Sequence, residues 1–151
     1  MKGERNLGRP IKQLTSLFNR QVEILWADIK GNTDMTGLQG WVAGFLMAYH
    51  GEKDIFQKDI EDALKISRST ASALLQRMEE KKLIVRQPLP GDARWKTIVL
   101  TKKSLKLRDK MQAVRKTMYS MLTKGLTEKE ADDFIRIADK IIKNLEIDNH
   151  E

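Results

Sequence analysis

The hydrophobic residues of this chain recur with a helical period over most of its length, and the period changes after Lys82. Residues 83–87 and 96–100 have the composition of two short strands, and the prolines and the Gly-Asp pair within residues 88–92 favour a turn between them. A hairpin set among helices limits the fold to a helical protein with a small β element. The sequence therefore predicts a mainly α protein with a small β-hairpin.

Amphipathic spacing predicts six helices around this hairpin. They are expected at about residues 10–30, 36–50 and 56–64, after the N-cap Ser67, from about Thr101 to Gly125, and after the capping box of Thr127 and Glu130. The fifth helix carries a seam typical of coiled coils, with apolar residues alternately four and three positions apart: Leu107, Met111, Val114, Met118 and Met121.

The sequence lacks the residues that several kinds of catalytic, redox and metal site require. The chain has no cysteine, which excludes disulfides, thiolate metal sites and a thiol-based redox switch. Its two histidines, His50 and His150, are far apart, and we find neither paired carboxylates nor a glycine-rich phosphate loop. We therefore expect no enzyme, no cofactor and no metal site. Because an apolar run of about eighteen residues is also missing, we expect no membrane span and a cytoplasmic protein.

Positive charge is concentrated in one quarter of the chain. The formal net charge is +7, and residues 65–103 hold ten basic and three acidic side chains, so this stretch carries the whole excess. Such a distribution makes a polyanion the expected partner.

The helix that follows Ser67 has two unlike faces. Its apolar stripe consists of Ala71, Leu74, Leu75 and Met78. The opposite face carries hydrogen-bonding groups, several of them small: Arg68, Ser69, Ser72 and Gln76. Small residues permit close approach to another surface, as in a recognition helix that enters the major groove of DNA. The alternative is that Ser67, Ser69 and Thr70 only cap an ordinary helix.

The hairpin after this helix is basic. Arg86, Arg94 and Lys96 lie on it, and four lysines flank its base at positions 81, 82, 102 and 103. These groups can neutralise phosphates and place an arginine at the minor groove, although a solvated hairpin could carry the same charges. Residues 55–101 thus have the form of a helix-turn-helix followed by a wing, a core that binds double-stranded DNA.

Two stretches of this core resemble the multiple-antibiotic-resistance regulator (MarR) family. Asp92-Ala93-Arg94, with Leu100-Thr101 after five further residues, is similar to the wing signature of the family, and residues 67–86 are similar to its recognition-helix stretch. The chain departs from the family pattern at Lys82 and Ser104, where glycine is usual. If Lys82 needs a positive φ, that backbone conformation is costly for a lysine.

The resemblance implies a winged helix-turn-helix transcription regulator of bacteria or archaea. It implies a triangular homodimer in which the first and last helices of each subunit interlock, with Arg94 at the minor groove and Asp92 orienting Arg94 or the wing. We accordingly expect residues 1–151 to form a single domain, with residues 55–101 as the DNA-binding core and residues 10–30 and 102–147 as dimerisation helices. Apolar stripes on the terminal helices and the seam favour a partner, and the alternative is that they pack on each other in a monomer.

A small aromatic or anionic effector is a further implication of the resemblance, bound between the dimerisation helices and the winged core. The side chains that could line its site are Trp26, Trp41, Phe45, Met47 and Tyr49. The alternative is that these residues are simply core, because apolar residues at helical spacing need no ligand to explain them.

The combined prediction is a sequence-specific DNA-binding regulator, a homodimeric repressor that occludes a pseudo-palindromic operator. The residues expected at the DNA are Ser67, Arg68, Ser69, Thr70, Ser72, Gln76, Arg86, Asp92, Arg94 and Lys96. The alternatives are a winged-helix module that binds other proteins and a non-specific nucleic-acid binder.

Overall fold

The computed structural model describes residues 3–147, with side chains at all of these positions except 28–33 and 147, so His150 lies outside the described residues. The elements in chain order are α1 (Gly8–Thr33), α2 (Gly37–Ala48), α3 (Gln57–Leu64), α4 (Arg68–Glu80), β1 (Ile84–Leu89), β2 (Asp92–Leu100), α5 (Lys102–Leu105), α6 (Arg108–Thr123) and α7 (Glu128–Ile147). The prediction of a mainly helical chain with one antiparallel hairpin is confirmed. The chain forms two compact units: the first ends at Arg115, and the second begins at Lys116 and contains the end of α6 and all of α7.

The core of the first unit fixes which face of α4 turns outward. All four residues of the predicted stripe, Ala71, Leu74, Leu75 and Met78, are buried. Leu75 and Met78 pack in a cluster with residues of α2, α3 and the hairpin, among them Val42, Ile60 and Ile84. Burial of a side chain of this size stabilises the fold by about 1.5–3 kcal/mol. The polar face of α4 is therefore held outward by the packing of the opposite one.

The junction between α3 and α4 is tight. Lys65 ends α3 in the left-handed conformation, with φ of 54°. The N–H of Ile66 then donates to the carbonyl of Glu61 at 3.1 Å, which closes the last turn of α3. Ser67 begins α4 as predicted, since its hydroxyl accepts a hydrogen bond from the N–H of Thr70 at 3.1 Å.

The hairpin is longer than the sequence predicts. Its pairing is regular from Ile84 opposite Leu100 to Pro88 opposite Lys96, and the next pair is Leu89 with Asp92. Between these two pairs β1 advances by one residue and β2 by four. Residues 93–95 have no partner in β1 and form an extra loop within β2. Regular pairing ends at Pro88 because proline has no N–H to donate to the ladder. Residues expected to connect the strands are therefore part of an irregular wing tip.

The predicted helix from Thr101 to Gly125 is wrong, because the structure has two helices there, α5 and α6. Ser104 is fully buried and its hydroxyl donates to the carbonyl of Leu83 at 2.7 Å, which holds α5 against the start of the wing. The N–H of Leu107 donates to the carbonyl of Ser104, and its own carbonyl accepts from Met111, so the new helix α6 begins directly after Leu107. Leu107 and Met111 pack in the core of the first unit, and this end of the seam is thus covered within the chain.

Two further expectations about α1 and α2 need correction. The α1 helix runs through residues 31 and 32, where it was expected to end, and Asp34 after it adopts a φ of 52°. Asp is among the residues that tolerate this conformation. Helical spacing of apolar residues would place Leu38 and Trp41 on the packed face of α2, but both are exposed, whereas Gln39 and Ala43 are buried. Within residues 3–147, no helix is long and apolar enough to cross a membrane.

Candidate nucleic-acid interface

The exposed face of α4 carries the polar residues that the sequence places there. Arg68, Ser72 and Gln76 follow one another at four-residue steps and are all exposed. This row begins at the N-terminal end of the helix. Its spacing puts a guanidinium, a hydroxyl and an amide on one line along the helix surface, with donors and acceptors suited to the edges of base pairs.

The first turn of α4 divides the predicted hydroxyl residues into two groups. The hydroxyl of Ser67 donates to Thr70 Oγ1 at 2.8 Å and accepts from the N–H of Thr70, so both residues take part in capping. The oxygens of Ser67 and Ser69 are 3.2 Å apart. The capping alternative accounts for Ser67 and Thr70, and Ser69 adjoins their network, whereas the hydroxyl of Ser72 lies outside it.

The wing tip holds Arg94 on Asp92 through three hydrogen bonds. The Nε and Nη2 of Arg94 donate to the two oxygens of Asp92 at 3.0 and 3.1 Å, and the backbone N–H of Arg94 donates to Oδ1 at 3.2 Å. The guanidinium holds the pKa of Asp92 below its ordinary value, and the carboxylate raises the pKa of Arg94. Both groups are charged at neutral pH, and the Arg94 side chain is 87% exposed, so an ordered cation stands at the tip.

Arg86 lies on the side of the wing that faces α4. Its Nε is 2.8 Å from Glu79 Oε1, near the end of the helix. Within residues 3–147 this Nε–H finds no acceptor in hydrogen-bond geometry, so the contact is one of charge rather than an aligned hydrogen bond. Arg86 joins the wing to α4, and its predicted phosphate contact stays a prediction.

The lysines of the wing and of its base differ in their surroundings. Lys96, Lys82 and Lys102 are exposed. Lys81 instead donates to the carbonyl of Asp34 at 2.6 Å and to Gln39 Oε1 at 2.9 Å. Lys103 Nζ donates to the carbonyl of Lys81 at 3.1 Å. The ammonium groups of Lys81 and Lys103 are thus used inside the fold, which the sequence analysis did not foresee.

Trp95 is a wing residue that the sequence analysis missed. It lies beside Arg94 in the extra loop of β2, is 55% exposed, and packs edge-to-face on Phe56 with ring centroids 5.8 Å apart. This contact ties the wing tip to the residue that precedes α3. Trp95 lies between the predicted turn and the predicted second strand, so the sequence analysis gave it no role. A large aromatic residue next to a basic wing residue could have indicated its contact with the rest of the fold.

Of the four aromatic residues predicted at an effector site, one is buried in the core and three form a row of ring contacts. Trp26 is buried against Gly40, where an added Cβ would lie 2.4 Å from the indole ring. Trp41, Phe45 and Tyr49 instead form a row along α2, with Trp41 stacked on Phe45 at 5.8 Å and Phe45 edge-to-face on Tyr49 at 5.1 Å. Trp26 is therefore a core residue in this structure.

The aromatic row ends at a cation and a small cavity. Lys53 Nζ lies 4.3 Å from the centroid of the Tyr49 ring. Both residues border a cavity of about 190 Å³ between the end of α2 and β2. This volume is below the roughly 300–1,000 Å³ of most ligand pockets, so the cavity suits a group of few atoms. Among the side chains that the structure describes, no three metal ligands lie close enough together to hold an ion.

Comparison with known proteins identifies the family of this chain. A profile of the MarR family matches residues 33–94. The crystal structure of the transcription regulator MarR from Oenococcus oeni PSU-1 is 32% identical in sequence with a TM-score of 0.80, and the match covers 91% of this chain and 99% of that one. The chain belongs to the MarR family. Because members of the MarR family are transcription regulators and not enzymes, this MarR-family protein is a transcription regulator.

Two other relatives extend the comparison. The S. aureus protein MepR in its complex with DNA is 26% identical to this MarR-family chain with a TM-score of 0.80, and the match covers 93% of this chain and 96% of MepR. The HTH-type transcriptional repressor IacR of Pseudomonas putida is 27% identical over 106 residues, which are 70% of this chain. The match spans 62% of the length of IacR, less than two thirds of that repressor.

Proposed function

We propose that this MarR-family regulator is a homodimeric repressor that binds a pseudo-palindromic operator in double-stranded DNA. One observation carries the proposal: the exposed row of Arg68, Ser72 and Gln76 on α4 belongs to the same compact unit as a wing whose tip holds Arg94 on Asp92. A helix with this surface fits the major groove, and an ordered arginine fits the minor groove beside it.

The proposed contacts divide into base edges and backbone. Arg68 matches guanine, and Gln76 matches adenine, in the donor and acceptor pattern of the major groove. The full proposed set is Ser67, Arg68, Ser69, Thr70, Ser72, Gln76, Arg86, Asp92, Arg94 and Lys96. Within it, Ser67 and Thr70 act through the cap of α4, Asp92 through Arg94, and Lys96 through phosphates.

Dimerisation is proposed from apolar surface on the terminal helices. On α1 the exposed apolar side chains are Ile11, Leu14, Leu17, Phe18 and Ile24. On α7 they are Phe134, Ile135, Ile137, Ile142 and Leu145. Several exposed apolar side chains on one helix favour an interface, and a two-fold dimer would place two copies of α4 about 34 Å apart, one helical turn of DNA.

The domain roles in this proposal follow the sequence prediction with one change. Residues 55–101 are the DNA-binding core, and residues 10–30 and 102–147 are the dimerisation helices of one functional unit. Because Leu107 and Met111 pack in the core of the first unit, the proposed dimer surface of the second segment lies beyond them.

The relatives support DNA binding and repression. MepR has been crystallised with DNA, and IacR is a transcriptional repressor. We extend both properties to this chain, together with a cytoplasmic location in a bacterium, where a regulator has access to DNA. The sign of regulation depends on where the operator lies relative to the promoter, so it has its own test: expression of a reporter from a promoter that overlaps the operator, with and without the protein.

The experiment that tests the DNA-binding proposal is selection of bound duplexes from a random library at physiological salt. A two-fold symmetric motif of about 16–20 base pairs is the expected result, since it corresponds to half-sites one helical turn apart. Binding without any motif would instead indicate a non-specific nucleic-acid binder. If no duplex is retained, the protein-interaction module becomes the better explanation.

A second proposed function is release by a small aromatic or anionic effector. The row of Trp41, Phe45 and Tyr49, with Lys53 at its end, offers ring faces and a cation for such a ligand. Salicylate, an aromatic anion, is a suitable probe: it should quench the fluorescence of Trp41 and lower operator affinity. Trp41→Ala should abolish the second effect while leaving operator affinity without ligand unchanged. If operator affinity is unchanged by salicylate and other aromatic anions, the effector proposal fails.

A further inference from the structure

The C-terminal end of α4 is joined to two other parts of the first unit. Lys81, the residue that ends the helix, donates from Nζ to the carbonyl of Asp34 and to Gln39 Oε1, 47 and 42 positions away in sequence. Its own carbonyl accepts from Lys103, and the carbonyl of Lys82 accepts from the hydroxyl of Thr101 at 2.8 Å. The α1–α2 junction and the end of the wing therefore meet at this helix terminus.

The acceptor that Lys81 contacts is itself fixed. Gln39 is only 2% exposed and stands in the capping box of α2, where its Oε1 also accepts from the N–H of Thr36 at 3.2 Å. In return the hydroxyl of Thr36 accepts from the N–H of Gln39 at 3.2 Å. A buried amide with this many restraints cannot turn to follow a moving partner. The bond from Lys81 thus places the end of α4 at a defined position relative to the first residues of α2.

The ammonium of Lys81 is in surroundings unlike those of a phosphate-binding lysine. Its side chain is 26% exposed, and the Asp34 carboxylate lies 3.9 Å from Nζ in addition to the two hydrogen-bond acceptors. Hydrogen bonds from a charged donor are about twice as strong as neutral ones, and a lysine that binds DNA backbone would have to give them up. Lys82 and Lys102, by contrast, are exposed.

We propose that Lys81 is a positioning residue for DNA recognition: it fixes the orientation of α4 relative to the α1–α2 junction and does not contact phosphate. The inference rests on the proposed function, because orientation matters only if α4 enters a groove. Since α1 belongs to the proposed dimer interface, this bond links the surface that sets the spacing of the two subunits to the helix that contacts the bases. Loss of the bond would relax that orientation and lower specific affinity more than general attraction to DNA.

The test compares Lys81→Met with Lys102→Met, because each removes one positive charge near the base of the wing. The measured quantities are the affinity ratio between the selected operator and an unrelated duplex, and the slope of log affinity against log salt. For Lys81→Met we expect the ratio to fall about tenfold with the slope within error of the wild type. A phosphate contact would lower the slope by about 0.9 and leave the ratio unchanged; that result for Lys81→Met overturns the inference.

A second set of variants distinguishes loss of the bond from loss of folding. Gln39→Leu and Lys81→Met remove the two partners of one bond, and the double variant replaces a polar pair with an apolar one, which folded proteins tolerate better than either single change. The double variant should lower the ratio no more than the single ones, because all three lack the same bond. Gln39→Glu keeps both acceptor roles and should retain the wild-type ratio.

The outcomes separate this inference from the proposed function. If the wild-type protein itself binds operator and unrelated duplex equally, the proposed function is wrong and the inference falls with it. If the wild-type protein discriminates and Lys81→Met discriminates equally well when folded, Lys81 only stabilises the fold and the positioning role is wrong. Additive losses in the double variant would also contradict it, since they would show that the two side chains act separately.

Discussion

The two ends of α4 are built in opposite ways. At the N-terminal end, Arg68 and Ser72 are exposed, and the hydrogen bonds there serve to begin the helix. At the C-terminal end, Glu79 contacts Arg86 of the wing and Lys81 contacts the α1–α2 junction. Side chains that recognise a variable partner need an open surface, whereas side chains that hold a helix in place need fixed partners. In the function proposed for this MarR-family protein, recognition and positioning are separated along a single helix.

The contrast depends first on the packing beneath the helix, and removing that packing should have the largest effect. Leu75 is fully buried in the core cluster. Leu75→Ala should lower the free energy of unfolding by about 2–5 kcal/mol, because it removes buried apolar contacts and leaves a cavity. Chemical denaturation measures the change, with Ser72→Ala on the exposed face as the control. A loss below about 1 kcal/mol would show that α4 is not held by this stripe.

A substitution at the open end should affect recognition and leave stability unchanged. Arg68→Ala is expected to reduce affinity for the operator by about 1–3 kcal/mol, and to relax the base preference at one position of each half-site. Repeating the library selection with the variant measures both effects. Arg77→Ala, in the last turn of the same helix, is the control for loss of charge. An equal loss on every duplex would reduce Arg68 to a phosphate contact.

The wing offers a comparison between a cation and its own counter-ion. Arg94→Ala should lower operator affinity about tenfold, because it removes the proposed minor-groove contact and leaves the carboxylate of Asp92 near the DNA. Asp92→Asn should slightly raise the affinity of the protein for unrelated DNA, because the charge of Arg94 is then no longer balanced by a carboxylate. Binding isotherms at several salt concentrations test both variants. Unchanged affinity and unchanged salt slope in Arg94→Ala would contradict the assigned role of the wing.

Backbone conformation at the fixed end should have a smaller effect on stability. Lys82 stands where glycine is usual in the family and has a φ of 59°, the positive value that the sequence analysis identified as costly for a lysine. Lys82→Gly should therefore stabilise the fold by about 1 kcal/mol, because glycine adopts positive φ without steric cost. Thermal denaturation measures this, and Lys102→Gly, placed in α5, should destabilise instead. A destabilised Lys82→Gly would mean that the lysine side chain makes a compensating contact.

The smallest expected effect is on the pH dependence of the wing tip. Hydrogen bonds from Arg94 lower the pKa of Asp92. The pair is therefore fully formed above the ordinary pKa of 3.8, and it is lost as the pH falls through the lowered pKa of Asp92. The carbon resonance of the Asp92 carboxyl group, followed by NMR, should titrate below pH 3.8. In Arg94→Ala the midpoint should return to the ordinary value. A wild-type midpoint at or above 3.8 would show that the pair does not persist in solution.

The features that were predictable from sequence are those set by neighbours in the chain. The stripe of α4 follows from residues at helical spacing, and the caps at Ser67 and Thr127 follow from partners three positions away. The strained backbone at Lys82 was indicated by the missing glycine. The order of helices and the exposed row on α4 came from the same local signals.

The features that were missed depend on partners distant in sequence. The break between α5 and α6 follows from a hydrogen bond that joins Ser104 to Leu83, 21 positions earlier. The extra loop at the wing tip depends on pairing across the hairpin, where Pro88 interrupts the ladder. Lys81 had the composition of a phosphate-binding residue, and only the fold brings it to Gln39. A local pattern contains no information about such contacts.

The Asp92–Arg94 pair has a consequence for how DNA is approached. The guanidinium of Arg94 and the carboxylate of Asp92 together carry no net charge, so at distances beyond the Debye length of about 8 Å the pair attracts a polyanion only weakly. Long-range capture then depends on cations without a bound counter-ion near the tip, such as Lys96. In the proposed complex, the wing tip contributes only after protein and DNA are in contact, when the geometry of its hydrogen bonds rather than long-range charge sets the binding energy. If the wing binds DNA as proposed, this pair adds little to the affinity for unrelated DNA and more to the affinity for the operator.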